Sequence, residues 1–257
     1  MAEFCSVEKD GPLTIVTIER PEVMNSLHRA ANFELAEVFD DFVADENQWV
    51  AIITGAGDRA FSAGNDLKHQ ASGGEMGGPE SGFAGLTSRY DNPKPVIAAV
   101  NGVSMGGGFE IALACDLIIA AENAIFALPE PRVGLAALAG GIHRLPRVIG
   151  MKQAMGMLLT GRRVSAAEGK ELGFVNDVVP EGKALSAARE WAALILECAP
   201  LSIRGSKEAA MQGMNASSLE DAIKGKYDQI EAMFKSADVV EGPLAFSEKR
   251  APNWKGE

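Results

Sequence analysis

Short runs of aliphatic and β-branched residues alternate with helical patterns through the first two thirds of the chain. Residues 13–19, LTIVTIE, alternate and are β-branched, which predicts a strand. Asn25 or Ser26 is placed to cap a helix running to Val43, with Phe33, Leu35, Ala36, Val38, Phe39 and Phe42 on its apolar side. Residues 50–54 form the next strand pattern. Residues 68–92 are rich in Gly, Ser and charge and predict an irregular segment with a short helix, of the kind that borders active sites. Pro93 and Pro95 introduce an apolar strand over 96–100.

Strand, helix and strand patterns then recur: a helix over 109–115 and strands over 117–121 and 124–127. Helical patterns follow over 142–149 and 152–160. Ser165 and Glu168 have capping-box spacing, and 174–179 reads as a short strand. From Lys183 onward the pattern is helical, over 184–198, 202–213 and 219–235. Ala188, Trp191, Ala192 and Ile195 make an apolar stripe that needs a partner surface. The expectation is an α/β class protein, with a core over residues 1–195 and a helical region over 196–257.

The candidate chemistry lies in the middle of this pattern. Gly106, Gly107 and Gly108 follow a strand and open a helix, where backbone N–H groups are available to an oxyanion. Glu110 stands three residues after Gly107 inside the apolar stretch FEIALACDLIIA, and Glu130 stands between Pro129 and Pro131. Two nearby carboxylates supply an acid and a base. Upstream, residues 61–67 (FSAGNDL) form a second small-residue turn after a strand and offer a second N–H donor. The bland readings are close packing for the glycines, an ion pair to Arg132 or Arg144 for Glu110, and an exposed loop carboxylate for Glu130. The residues 102–106, GVSMG, also match the G-x-S-x-G nucleophile elbow around Ser104. That reading needs a later acid and histidine, and only His143 follows Ser104.

Composition narrows the picture. The chain has 257 residues, 47% apolar and 23% charged, enough for a substantial core. Its net charge of −11 argues against general binding to nucleic acid or an anionic membrane. No apolar run approaches the roughly 20 residues of a membrane span. The N-terminus has no basic-then-apolar signal pattern, so a cytoplasmic location is expected. Cys5, Cys115 and Cys198 are widely spaced, and the three histidines form no ligand motif, so no metal is expected.

At these residues the chain resembles the enoyl-CoA hydratase/isomerase (crotonase) superfamily. The resemblance runs through Glu19-Arg20-Pro21 and Asn25-Ser26-Leu27, FSAGNDLK at 61–68, and KPVIAAVNGVSMGGGFEIALACD at 94–116. It continues through Pro129-Glu130, RLPRVIG at 144–150, LLTGRRVSAAEGKELGFVNDVVP at 158–180, and EGPLAFSEKRAPNW at 241–254. It implies a crotonase-like spiral of repeated ββα units forming two stacked sheets, followed by C-terminal helices that build a trimer, commonly paired into a hexamer. By position, Ala63 and Gly107 match the oxyanion-hole donors, and Glu110 and Glu130 the catalytic glutamates. Ala63, Gly64, Asn65, Asp66, Leu67, Gly106 and Gly107 match residues along the CoA ester. Phe246 and Lys249 match C-terminal residues that reach a CoA, commonly that of a neighbouring subunit.

There are departures. Glu22 stands where a basic residue is common near the CoA phosphates. Ile142 and His143 replace a Thr-Gln pair in a wall expected to shape the acyl pocket. The activity implied is hydration of a 2-enoyl-CoA thioester with no cofactor. A Δ3,Δ2-enoyl-CoA isomerase using Glu130, and a non-catalytic CoA-ester-binding protein, stand as alternatives.

Overall fold

The computed structural model describes residues 3–75 and 77–257. Two antiparallel strands, β1 (Cys5–Asp10) and β2 (Leu13–Ile18), lead into α1 (Arg29–Ala44). Three successive strand pairs then each give one strand to each of two sheets. They are β3 (Val50–Gly55) with β4 (Ala60–Ser62), β5 (Val96–Val100) with β6 (Val103–Met105), and β7 (Leu117–Ala121) with β8 (Ile125–Ala127). The helices α2 (Leu67–Ala71), α3 (Gly107–Ala114) and α4 (Gly141–Ile149) follow these pairs. After α4 come α5 (Met151–Thr160), β9 (Val164–Ser165), α6 (Ala166–Leu172) and β10 (Asp177–Val179). The chain closes with α7 (Ala184–Leu196), α8 (Pro200–Gly213), α9 (Leu219–Ile223), α10 (Asp228–Lys235) and α11 (Asp238–Glu248).

The larger sheet has the order β1-β2-β3-β5-β7-β10 and is parallel from β2 onward; the smaller has the order β4-β6-β8-β9. This is the expected α/β spiral of ββα units. Every residue of β3 and β5 is buried, as strands covered on both faces require. Alternation sorts the two faces. Val16, Ile18, Ala51, Ile53, Ala98 and Val100 face a core shared with Phe39, Phe42, Phe61, Phe109 and Phe126. Leu13, Ile15, Val50, Ile52, Ile97 and Ala99 face the opposite way and are covered by Ala184, Ala188 and Ala192 of α7, with Trp191 and Ile195 packed at the side. The chain's own sheet is thus a partner for that apolar stripe.

Several local expectations change. Helix α1 is capped by His28, whose Nδ1 accepts the Ala31 N–H at 3.3 Å. Asn25 adopts φ 53° and spends its side chain on Arg20, Ala56 and Ala60. The strand predicted over 174–179 is confined to its last three residues, because Phe174 and Val175 turn into the core. The helix predicted over 219–235 is two helices, broken where the Tyr227 hydroxyl donates to the Ala222 carbonyl at 2.5 Å. Among the described residues no helix is long and apolar enough to cross a membrane.

Candidate active site

Helix α3 starts at Gly107 after Gly106, whose φ of 55° and ψ of −127° suit glycine alone. The first intrahelical bond runs from the Glu110 N–H to the Gly106 carbonyl, so the Gly107 N–H has no helical acceptor. Beside it lies the turn after β4. Here Leu27 pairs in parallel with Asn65: the Leu27 N–H donates to Gly64 O, and the Asp66 N–H to Leu27 O. That pattern turns the Asn65 N–H away from Leu27, and it has no backbone acceptor among the described residues. The Ala63 N–H, by contrast, donates to Met24 O at 2.9 Å. The expected donor Ala63 is therefore engaged, and the open amide in this turn belongs to Asn65. Asn65 and Gly107 line one cleft of about 550 Å³ together with Glu110 and Glu130.

The two amides are set by contact of main chains. A Cβ on Gly64 would lie 2.7 Å from the Gly107 nitrogen, and one on Gly108 would lie 2.0 Å from Ser62 O. Neither position admits a side chain.

Glu110 lies on α3 and is 4% exposed. Its Oε1 accepts the Gly141 N–H from the start of α4 at 2.9 Å. Among the described residues it makes no ion pair: Arg144 donates to Thr87 O and Arg132 to Thr160 O. Burial pushes the Glu110 carboxyl up to about 7; the negative charge of Glu130 adds to this, and backbone N–H groups of Gly141 and Ala139 oppose it. Glu130 opens a short 3₁₀ turn ending at Val133, and it faces Gly106, where a Cβ would lie 3.2 Å from its Oε1. Its Oε2 is buried and has no hydrogen-bond partner among the described residues. Burial raises its carboxyl above the ordinary value as well. Two carboxyls with raised affinity for protons thus flank two open N–H groups, an arrangement suited to proton transfer beside a polarised carbonyl.

The family profile described as enoyl-CoA hydratase/isomerase matches residues 8–257. The chain belongs to this family. Among curated relatives, the carnitinyl-CoA dehydratase of Escherichia coli is 43% identical over 263 residues, covering 100% of each chain. The enoyl-CoA hydratase of Mycobacterium tuberculosis superposes with a TM-score of 0.91 at 37% identity, over 99% of both chains. A carnitinyl-CoA hydratase from Mycobacterium avium gives 0.79 at 39% identity, again over 99% of both.

For a crotonase-family chain, the remaining positions fall as follows. Asp66 lines the cleft, but its carboxylate caps α2 through the His69 N–H and pairs with Arg20 at 3.1 Å. Burial raises its pKa, and these two partners outweigh that and hold it below the ordinary carboxylate value. Gly64 lies behind the turn and Leu67 is exposed. Glu22 is exposed, and the arginine lining the cleft among the described residues is Arg29, which pairs with Glu75 at 3.3 Å. Ile142 packs into the core and His143 is exposed, so neither lines the cleft; Leu135, Ala136, Leu138 and Ala139 make that wall instead. Phe246 is 87% exposed on α11, and neither it nor Lys249 reaches the cleft of its own chain. Ser104 is 0% exposed in the middle of β6, which removes the nucleophile-elbow reading: an elbow serine stands free at a turn. Among the described residues no group of three or more His, Cys, Asp or Glu side chains is placed to hold a metal ion.

Proposed function

We propose that the chain hydrates 2-enoyl-CoA thioesters, or dehydrates the 3-hydroxy products, by adding water across the α,β double bond. The observation that carries this reading is that buried Glu110 and half-buried Glu130 line one cleft with the Asn65 and Gly107 amides. The thioester oxygen accepts both N–H groups, which stabilise the enolate-like charge as it develops; one such donor is worth about 2.7–4 kcal/mol of barrier. Glu110 acts as the base. Its backbone donors favour the ionised form, and it draws a proton from water attacking Cβ. Glu130 acts as the acid and delivers a proton to Cα; its unpartnered oxygen suits the protonated form. The scheme calls for no metal or redox cofactor.

Phe246 and Lys249 lie away from the chain's own cleft, so any role for them at a CoA requires a second copy of the chain. We propose a trimer, or a dimer of trimers, on this basis and on the exposed apolar side chains of α8 to α11, such as Met214, Phe234, Val240 and Leu244. The second substrate reading is a carnitinyl thioester, favoured by the name of the 43%-identical relatives. A neutral acyl group fits the aromatic lining better. Phe83 is the only Phe, Tyr or Trp ring at the cleft among the described residues, short of the cage that favours a trimethylammonium cation, and the lining carboxylates Asp66 and Glu75 are paired with Arg20 and Arg29. Loss of enoyl-thioester absorbance with crotonyl-CoA and with crotonobetainyl-CoA tests this. Turnover of crotonyl-CoA supports the reading; turnover of the betaine ester alone overturns the neutral-acyl assignment, and turnover of neither removes the hydratase reading.

A further inference from the structure

Between α2 and β5 the chain makes a turn whose backbone is under strain. Gly82, Ala84 and Gly85 all have positive φ, at 84°, 54° and 68°. Ala84 is the informative member, because a residue with a side chain adopts this conformation only when its surroundings impose it. The impositions are polar and specific. The Ala84 N–H donates to Oδ1 of Asn32, a buried side chain on α1, at 2.7 Å. The Phe83 N–H donates to the Thr87 hydroxyl at 2.8 Å. The Gly85 carbonyl accepts from Arg89 at 2.7 Å, and the Thr87 carbonyl from Arg144 at 2.8 Å. Gly85 is also pressed onto α1, where a Cβ would lie 2.4 Å from the Ala36 Cα.

What this turn presents to the cleft is the ring of Phe83. The ring rests on Gly107: a Cβ there would lie 2.5 Å from Cε1 of Phe83. Gly107 carries one of the two open amides. A carbonyl oxygen on that N–H places the carbonyl carbon one hydrogen bond away, and the next acyl atom is Cα. With Cα, rather than the sulfur, turned to the Phe83 side, a substituent on Cα is the first part of the acyl group to meet the ring.

We propose that Phe83 is a specificity-determining residue. Held against Gly107 by the strained turn, its ring excludes substituents on the acyl carbon next to the carbonyl and selects thioesters unbranched there. The assignment rests on the 2-enoyl-CoA reading above for the placing of the thioester oxygen. Thr87 acts through Phe83 and is a positioning residue.

The experiment compares kcat/KM for crotonyl-CoA and 2-methylcrotonyl-CoA in the intact protein and in F83A, F83L, T87V and T87S. F83A should raise the ratio of branched to unbranched activity by about tenfold or more, the range for a methyl group in an apolar pocket, and F83L by less. T87V should move the ratio part of the way, with the change in KM for the branched ester, and T87S should restore it. Calorimetric binding of the unreactive pair butyryl-CoA and 2-methylbutyryl-CoA reads the same selection without turnover. A wild-type protein that hydrates neither ester yet discriminates this pair through Phe83 overturns the hydratase reading and keeps the gauge. A branched-to-unbranched ratio in F83A and F83L within about twofold of wild type, in turnover or binding, overturns the gauge. A T87V ratio equal to wild type overturns the role of Thr87.

Discussion

Replacing Glu110 with Gln should make the protein more stable while abolishing its proposed chemistry. The carboxyl titrates at about 7 in the folded chain against an ordinary value of 4.5. Below 4.5 it is protonated in the folded and unfolded states alike and costs nothing. As pH rises from 4.5 to about 7 the unfolded chain gives up its proton while the folded state keeps its own, so stability falls, and above about 7 both states are ionised and the loss is complete. The loss is about 1 kcal/mol at pH 5 and about 3 kcal/mol at pH 8, at about 1.4 kcal/mol per pH unit. Gln imitates the protonated acid in size and still accepts the Gly141 N–H. The gain from Glu110→Gln should follow the same curve: small at pH 5, about 3 kcal/mol at pH 8, or a rise in Tm of about 6–10 °C. Urea unfolding at both pH values and one protein concentration measures it. A variant less stable than wild type at pH 8, or a difference that does not grow with pH, would refute the claim that burial of this carboxylate carries a cost.

With Glu110 as the base, kcat should fall as pH drops below about 7, and stopped-flow loss of enoyl absorbance across pH 5–9 shows whether it does. Glu130→Gln should lower kcat by about 10²–10⁴-fold with CoA-ester affinity nearly unchanged; a loss under about threefold removes Glu130 from the mechanism. Ser104→Ala should leave turnover unchanged, and a fluorophosphonate probe should form no adduct with the wild-type protein, since Ser104 is buried in a strand. Deleting the chain from Ser202 onward should break the assembly and abolish activity although both glutamates remain, and light scattering of the intact chain should give a trimer or hexamer; an active monomer contradicts this.

The most fully legible strands are those with five or six largely aliphatic or β-branched residues, β2, β3, β5 and β7; β8 is legible to within one residue, and β10 as the last three residues of a longer run. The smaller sheet was harder to read, because β4, β6 and β9 are two or three residues long and take their shape from their neighbours. β1 escaped for another reason: as an edge strand it buries Cys5 alone and otherwise reads as a polar segment. Helix α11 contains Pro243, which reads as a breaker. Glu110 and Glu130 were visible because carboxylates in apolar or proline-bound settings stand out. The choice between the Ala63 and Asn65 amides was not visible. It depends on Met24 taking one N–H and on Leu27 turning the other outward, contacts made across the fold.

The contact of Gly64 and Gly108 with the main chain opposite bears on how the protein tolerates genetic change. The spacing of the two amides is a property of the backbone, and no side chain has to be kept to maintain it. The walls around them, Phe83, Leu135 and Leu138 among them, are free to vary without moving the place where a carbonyl docks. A saturation mutagenesis library should therefore divide sharply: near-total intolerance at two small positions, and gradual, substrate-dependent drift at the lining. Such an anchored carbonyl site with replaceable surroundings lets one lineage acquire new acyl preferences in single steps, each passing through an enzyme that still works.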